Sequence, residues 1–409
     1  MLRRSLVSAS AHKFPSTIAP KDHESGLATG RKTYSVLHVG KFYPPHMGGM
    51  ETHLQWLCGE LRKSLDVEVI VANDGDQEVE EIVDGVAVSR VPTKLFLAST
   101  PMCPGMIAKI RHSTADIVHI HWPNPSAVLA YLAGGHPGRL VITYHSDTVR
   151  QRVLGTLFEP LLHSALRRSA AIVTSSAAYT RTSKVLQEHL DRCHVIPFGI
   201  PLEQFENCSR AIVTEIRQRY GERIILSIGR LVYYKGLEYL IRAMSKIRGR
   251  LLIAGDGPLR AALHHLTLEL GLGNKVTFLG RVEETIPYYH AADVFVLPSI
   301  VRTEAFGIVQ IEAMAAGIPV VNTALDSGVP SVSLHGKTGL TVPPADPESL
   351  AAALNHLLDN DNLRRSFGAA ARYRARTEFN LETMLSRTMS LYDSVLHEVR
   401  PAMSTASVL

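Results

Sequence analysis

At 409 residues the chain is too long for one ordinary core and long enough for two domains of roughly 150 to 200 residues each. With 45% apolar and 20% charged residues, and Gly and Pro spread along its length, it reads as a globular protein, not a fibrous or disordered one. The net charge is +5, and about four of those units fall before residue 201. That mild asymmetry suits an anionic acceptor or membrane surface at the first domain, or simply a solvated face rich in Arg; no nucleic-acid partner is expected.

Cys58, Cys103, Cys193 and Cys208 lack the spacing of a metal site or a disulfide framework, as fits a reducing compartment. No apolar run approaches the roughly 20 residues that span a bilayer, so the expected location is the cytoplasm, with any membrane contact peripheral, at the inner face. Residues 1–33 form a polar tail carrying Arg3, Arg4, Asp22 and Glu24 without an apolar block, which predicts a disordered extension or an early start codon over a transit peptide. Arg150, Arg152, Arg167 and Arg168 flank the apolar run Val153 to Leu166 and are the candidates for a surface contact through the N-terminal domain.

From Tyr34 onward, short apolar runs alternate with helical patterns. Tyr34 to Val39, Val67 to Val71, Ile117 to His121, Leu140 to Tyr144, Ala171 to Thr174 and His194 to Pro197 read as buried parallel strands. Glu51 to Ser64 and Ala177 to His189 carry the 3.6-residue period, and Gln77 to Pro92 reads as an inserted hairpin. A second set of strands follows: Ile224 to Ile228, Leu251 to Ala254, Val276 to Leu279, Val294 to Leu297 and Pro319 to Asn322. Phe198 to Glu222, with Gly199 and Pro201, lacks a strand pattern and is the expected linker. The predicted division is 34–200 for an acceptor-side Rossmann-like domain, 201–378 for a donor-binding Rossmann-like domain, and 379–409 for a helix crossing back over both with its tail. This is an α/β fold in which two domains face each other across a cleft, with ligands at the carboxyl ends of the strands.

The segment Pro298 to Pro319 reads as loop then helix after a strand, with Glu304 before Phe306-Gly307-Ile308-Val309 and Glu312 further in. Free amides near Gly307 favour a phosphate. Eight residues of helix would separate Glu304 from Glu312 by about 12 Å and rotate one from the other by about 80°, which excludes a shared-proton dyad. Ionised carboxylates accept hydrogen bonds only and suit vicinal diols, one on a sugar and one on a ribose. A helix-start Glu and a surface Glu would explain the pair as well, but Ala305 to Ala316 is apolar nearly all round, so Glu312 needs a partner.

This sequence resembles the retaining glycosyltransferases of GT-B fold often called family 4, or glycosyl transferases group 1. In these a Glu-x7-Glu pair enclosing Phe-Gly binds the donor. The resemblance runs from Tyr34 to about Val395 over several separated motifs. It implies that Arg230 and Lys235, in Gly229-Arg230-Leu231 and Lys235-Gly236 after a strand, hold the donor diphosphate and stabilise the departing nucleotide; a surface Arg and a capping Lys are the alternative. It implies that the loop Lys41 to Glu51 brings Gly48 and Gly49 to the diphosphate and acceptor, although a tight turn would also want two glycines. His145, after the strand Leu140 to Tyr144, is implied to contact the transferred sugar; a lone His is otherwise a structural hydrogen-bonder.

Gly255-Asp256-Gly257-Pro258 fails as a dinucleotide fingerprint, since Arg260 stands at the third glycine and Gly280-Arg281-Val282 replaces the ribose acid. The resemblance puts Gly255 by the nucleotide and Arg281 and Val282 by its base. His119, His121 and Asp147 are acceptor-side candidates, with a scaffold role equally open for the two histidines. Asp74-Gly75-Asp76 resembles a metal-binding Asp-x-Asp but lies far in sequence from every donor motif, so no metal and no cofactor is expected. Asp326 to Pro330 and His335 to Pro344 match the glycine-bearing loop and short strand of the family's second half. Phe198 stands where an Asn is usual.

The expected activity is transfer of a hexosyl unit, with retention, from a UDP- or GDP-sugar to a glycan, polysaccharide-precursor or glycolipid acceptor. The alternatives are a sugar-nucleotide epimerase of the same fold and a non-catalytic sugar-nucleotide-binding protein. A nicotinamide dehydrogenase is disfavoured by the failed fingerprint.

Overall fold

The computed structural model describes residues 34–46, 48–97, 100–147 and 152–397, with backbone alone for 152–157. The expected N-terminal extension, Arg150 and the Arg152 side chain lie outside the described residues.

The strands of the first half are β1 (Ser35–Val39), β2 (Asp66–Asn73), β3 (Val79–Val83), β4 (Val86–Pro92), β5 (Leu95–Leu97), β6 (Thr100–Met102), β7 (Ile117–Trp122), β8 (Arg139–Tyr144), β9 (Ala171–Thr174) and β10 (Cys193–Val195). Among the described residues, eight of them form one sheet in the order β10-β9-β8-β7-β1-β2-β4-β3, and β5 with β6 makes a separate ribbon. The central strands β7 and β8 are apolar runs buried almost end to end, as helices on both faces of a parallel sheet require. The expected hairpin is present: β3 pairs antiparallel with β4 through Asp84 and Gly85, both at positive φ, the conformation a two-residue hairpin turn demands.

The second half holds β11 (Ile224–Ile228), β12 (Arg250–Ala254), β13 (Val276–Gly280), β14 (Val294–Leu297), β15 (Val320–Thr323) and β16 (Gly339–Val342) in the order β13-β12-β11-β14-β15-β16, all parallel. The chain thus forms two Rossmann-like domains, each an α/β unit with its own sheet. In each sheet the strand order reverses beside the first strand, between β1 and β7 and between β11 and β14. Crevices open at such points above the carboxyl ends of the strands.

Local sequence explains the helices that flank the crevices. Helix Gly49–Leu61 buries His53, Leu54, Leu57, Cys58 and Leu61, one stripe at helical spacing. Helix Pro125–Gly134 starts where the Asn124 side chain accepts from the Ala127 amide, with Pro at its first position, and ends at Gly135 in the left-handed region. The periodic stretch from Ala177 does not run unbroken to His189. It is helical over Ala177–Thr182, extended at Ser183, and tightens into a 3-10 segment Leu186–Arg192. Ser183 donates to Asp147 across 2.7 Å, a bond that accompanies the break.

The carboxy-terminal crossing is shared between two helices. Asp361–Glu378 packs Ala371 and Ala375 into the second domain's core beside Met314, whereas Leu381–His397 packs Met384, Leu391, Tyr392 and Val395 into the first domain's core. The two connections between domains run side by side: the Ile200 amide donates to Phe379 O at 2.9 Å, and a Cβ on Gly199 would lie 2.3 Å from Asn380 O.

Candidate active site

The crevice between β11 and β14 brings together two motifs about 70 residues apart in the sequence. After β11 the backbone turns through Gly229 and a short 3-10 segment, Tyr233–Lys235; after β14 it runs through Pro298 to Gly307 before helix Ile308–Ala316 begins. The loops are held together by the Ile300 amide donating to Tyr234 O at 2.8 Å. A Cβ on Gly236 would approach Pro298 O to 2.2 Å, so only glycine allows this approach. Lys235 Nζ donates to Glu304 Oε2 at 2.6 Å, and Ser299 Oγ donates to the same oxygen at 3.0 Å. Burial by itself would pull the Lys235 ammonium down. The Glu304 carboxylate, with smaller contributions from Tyr234 and Glu312, outweighs it and holds the pKa above the ordinary lysine value.

Glu304 lies in the loop, not in the helix, which starts only at Ile308. The 12 Å helical separation expected from sequence therefore does not apply; what the two carboxylates share is Lys235, which both attract. Glu312 has the partner its helix required: Tyr289 donates to Glu312 Oε2 at 2.6 Å. Burial pushes the Glu312 carboxyl above the ordinary glutamate value, against the pull of Tyr289 and Lys235.

Gly307 adopts φ 77, and a Cβ there would meet Leu297 Cδ2 at 2.5 Å, so glycine sets the helix entry. The first intrahelical bond shown at this end is from the Gln310 amide to Gly307 O, so the Ile308 and Val309 amides precede it and point out of the helix end. A buried polar network fixes the helix: Gln310 Nε2 donates to Phe306 O at 2.9 Å, and Asn322 on β15 donates to Gln310 Oε1 at 2.9 Å.

Across the cleft the first domain supplies the loop after β1. Gly49 lies within 3.9 Å of Ile308 measured from an added Cβ, and the Glu51 carboxylate folds back to within 2.3 Å of the corresponding position on Gly48. Burial lowers the pKa of Lys41, Glu51 opposes that shift and Arg230 adds to it, so Lys41 of one domain and Arg230 of the other feel each other's charge. Arg230 is exposed. In the same loop His46 sits 2.8 Å from Asp74, so the Asp74 turn, remote in sequence, is a neighbour of the glycine loop in space.

His145 follows β8 and is buried. Its Nε2 lies 3.1 Å from His121 Nδ1, whose Nε2 lies 3.1 Å from His38 Nδ1. His119 is enclosed by Tyr392 at 2.5 Å and Thr143 at 2.7 Å. His119 and His121 are thus buried and bonded inside the first domain, the scaffold option left open by sequence. Burial drives all five imidazoles, with His53, to the neutral form, His38 and His53 to a pKa of about 3. Phe198, in the expected linker, packs between His53, His145 and Phe306 with ring centroids 4.3, 5.3 and 5.1 Å away.

Asp147 is tied across the domains. Arg302 Nη2 of the second domain donates to its Oδ2 at 3.0 Å, while Tyr144 and Ser183 donate to Oδ1. Arg302 also donates to Thr182 O at 2.7 Å and lies over the Tyr179 ring. Sequence reading missed Arg302, although it stands two residues before Glu304, and missed Tyr289, Ser299 and Lys41. Gly255 serves the turn itself: a Cβ there would be 2.0 Å from Gly229 O, so the turns after β11 and β12 lie back to back. Arg281 is exposed beyond β13 and Val282 is half-buried beside it.

Two families match consecutive parts of the chain: Glycosyltransferase Family 4 over residues 47–204 and Glycosyl transferases group 1 over residues 211–374. The chain is 33% identical to the D-rhamnosyltransferase WbpZ of Pseudomonas aeruginosa over 83% of its own length and 91% of that protein. It is 31% identical to a GDP-mannose-dependent alpha-(1-6)-phosphatidylinositol monomannoside mannosyltransferase of Mycolicibacterium smegmatis over 87% of this chain and 97% of that one. Among solved structures, HepE of Anabaena in complex with UDP shares the fold at a TM-score of 0.74 and 19% identity, covering 88% of this chain and all of that one. The chain therefore belongs to the GT-B glycosyltransferases of group 1 and family 4, and is a glycosyltransferase.

Proposed function

We propose that the protein transfers a hexosyl unit, with retention of anomeric configuration, from a GDP- or UDP-linked sugar to a glycan or lipid-linked acceptor, with GDP-linked mannose or rhamnose as the preferred donor class. The observation that carries this reading is the Lys235 ammonium held by Glu304 beside Glu312 at the second sheet's crevice, with exposed Arg230 next to it. The donor preference follows from the names of the relatives, one a D-rhamnosyltransferase and one GDP-mannose-dependent.

In this proposal Arg230, Lys235 and the Ile308 and Val309 amides receive the diphosphate, and Gly48, Gly49 and Gly229 let the backbone approach it. Lys235 turns from Glu304 to phosphate, freeing Glu304 to accept from the sugar hydroxyls. Glu312, with one oxygen engaged by Tyr289, offers the other to the ribose. Gly255, Phe306, Arg281 and Val282 flank the nucleoside, and His145 faces the sugar. The bond from C1 to the diphosphate oxygen breaks with its electrons passing to phosphate. The acceptor oxygen bonds C1 on the same face, and its proton goes to the leaving phosphate. Cations already present meet the developing charge, so no metal is invoked for the leaving group. Closure about 198–222, with domains divided near residue 200, excludes water. Peripheral membrane contact through the first domain would serve a lipid-linked acceptor. Among the described residues no helix is long and apolar enough to cross a membrane.

The test is a thermal-stabilisation screen of GDP- and UDP-sugars on the native protein and on Glu312→Ala, followed by product analysis with the donor that binds. A donor that stabilises the native protein alone and yields an acceptor-dependent product of retained configuration supports the proposal. Absence of any stabilising sugar nucleotide, an identical response from the variant, or interconversion without acceptor would sink it.

A further inference from the structure

Beside the entry to the edge strand β10, the first domain holds two imidazoles and a carboxylate in close array. His163 comes from the last turns of helix Arg152–Arg168, and Glu188 and His189 come from the 3-10 segment Leu186–Arg192. His163 Nδ1 is 3.2 Å from His189 Nε2 and 3.3 Å from Glu188 Oε2, and the three ligand atoms all lie within 4.8 Å of one another. Ligands about 2.0 to 2.1 Å from a tetrahedral zinc ion stand about 3.3 Å apart, so both separations are those of atoms sharing one ion. Without an ion, His163 Nδ1 faces both the His189 ring nitrogen and the Glu188 carboxylate. An ion between them would engage all three.

Two other groups of histidines have comparable spacing, His38 with His119 and His121, and His53 with His121 and His145. Both are fully buried and contain no carboxylate, so a divalent charge there would be desolvated and uncompensated, at a cost of many kcal/mol. The His163 group differs on each count. Glu188 brings a negative charge and has a side chain 68% exposed, which leaves room for water to complete the coordination. His189 is buried, so its ring is held in place beside His163.

We infer that His163, Glu188 and His189 form a binding site for a transition-metal ion of the zinc class. Two imidazoles and one carboxylate select zinc, nickel or copper over magnesium or calcium, which prefer oxygen. The ion would clip the helix that follows the His145–Asp147 segment to the element leading into β10. Arg192 already joins these two elements by donating to Arg167 O and, at 3.0 Å, to Ser169 O, so the fold survives without the ion.

The experiment uses the untagged full chain, stripped with EDTA and titrated with ZnCl2 by calorimetry, with CoCl2 absorption reporting coordination geometry and MgCl2 as control. The expected result is one equivalent of zinc per chain, a four-coordinate cobalt spectrum, no magnesium binding, and at least tenfold weaker zinc binding in both H163A and E188Q. E188Q changes an exposed side chain and keeps the comparison valid should H163A fold poorly. The inference is overturned if no saturable zinc binding occurs, if E188Q and H163A bind as the native chain does, or if zinc binding is lost instead in His53→Gln.

Discussion

Acidification should unfold this protein through the buried histidines of β1 and β7 and their neighbours His53 and His145. His38, His53, His119, His121 and His145 are at most 5% exposed, and burial holds every one of them neutral. Each folded pKa lies below the unfolded value near 6.5, so the stability concerned is complete above that value and is lost as pH falls toward the folded pKa, about 3 for His38 and His53. At pH 5.5 the unfolded chain gains about 1 kcal/mol for each imidazole it protonates and the native state cannot, and far less at pH 7. For five imidazoles the difference is about 5 kcal/mol, comparable with a typical total stability of about 5 to 15. Urea denaturation at pH 7.5, 6.5 and 5.5 measures it directly. Removing one titrating group, as in His119→Asn, should reduce the limiting slope by about 1.4 kcal/mol per pH unit. A native stability that changes by less than about 2 kcal/mol between pH 7 and 5.5 would show that the cluster accepts protons while folded, and the neutral-chain description would be wrong.

Three further outcomes are expected at the cleft. Glu304→Gln leaves the Lys235 ammonium buried without its partner and should cost about 3 kcal/mol, toward the lower end for a broken buried pair because the cleft is near; a nucleoside diphosphate should narrow the melting gap to the native protein, and a gap unchanged by nucleotide refutes the shared Lys235. Because burial raises the Glu312 pKa, its ionised form is lost at a higher pH than an ordinary glutamate's, so nucleotide affinity should fall as pH drops toward that raised value in the native protein but stay flat in Glu312→Gln, as calorimetry at several pH values will read. Arg302→Ala removes the tie to Asp147 and Thr182 and should raise KM by about tenfold with a smaller effect on kcat; unchanged KM would mean the tie carries no closure energy.

Much of the fold was legible because buried parallel strands are apolar runs that need no knowledge of their neighbours. β1, β7, β8, β11 and β14 all lie where such runs stand. Helix ends were less legible. The stop at Ser183 coincides with a hydrogen bond to Asp147, 36 residues away, and the late start at Ile308 accompanies a positive φ at Gly307 and its contact with Leu297. The candidate site was legible as a set of motifs, but not as an arrangement. Arg302 and Tyr289 belong to no motif and earn their places only through partners contributed by distant segments.

The sequence by itself determined a two-domain α/β fold with charged motifs at strand ends, because hydrophobic period and residue type are local properties; the glycosyltransferase reading came from the resemblance of those motifs to a known family. It could not place Glu304 and Glu312 relative to each other, since the helix assumed between them is a loop for its first half. Tertiary structure decided that Lys235 lies with both carboxylates, that His119 and His121 are buried and hydrogen-bonded within the first domain, and that Asp147 spans the domains. The physical reason is the strand order: setting β14 beside β11 joins loops that the chain keeps about 70 residues apart, and no periodicity encodes that neighbour.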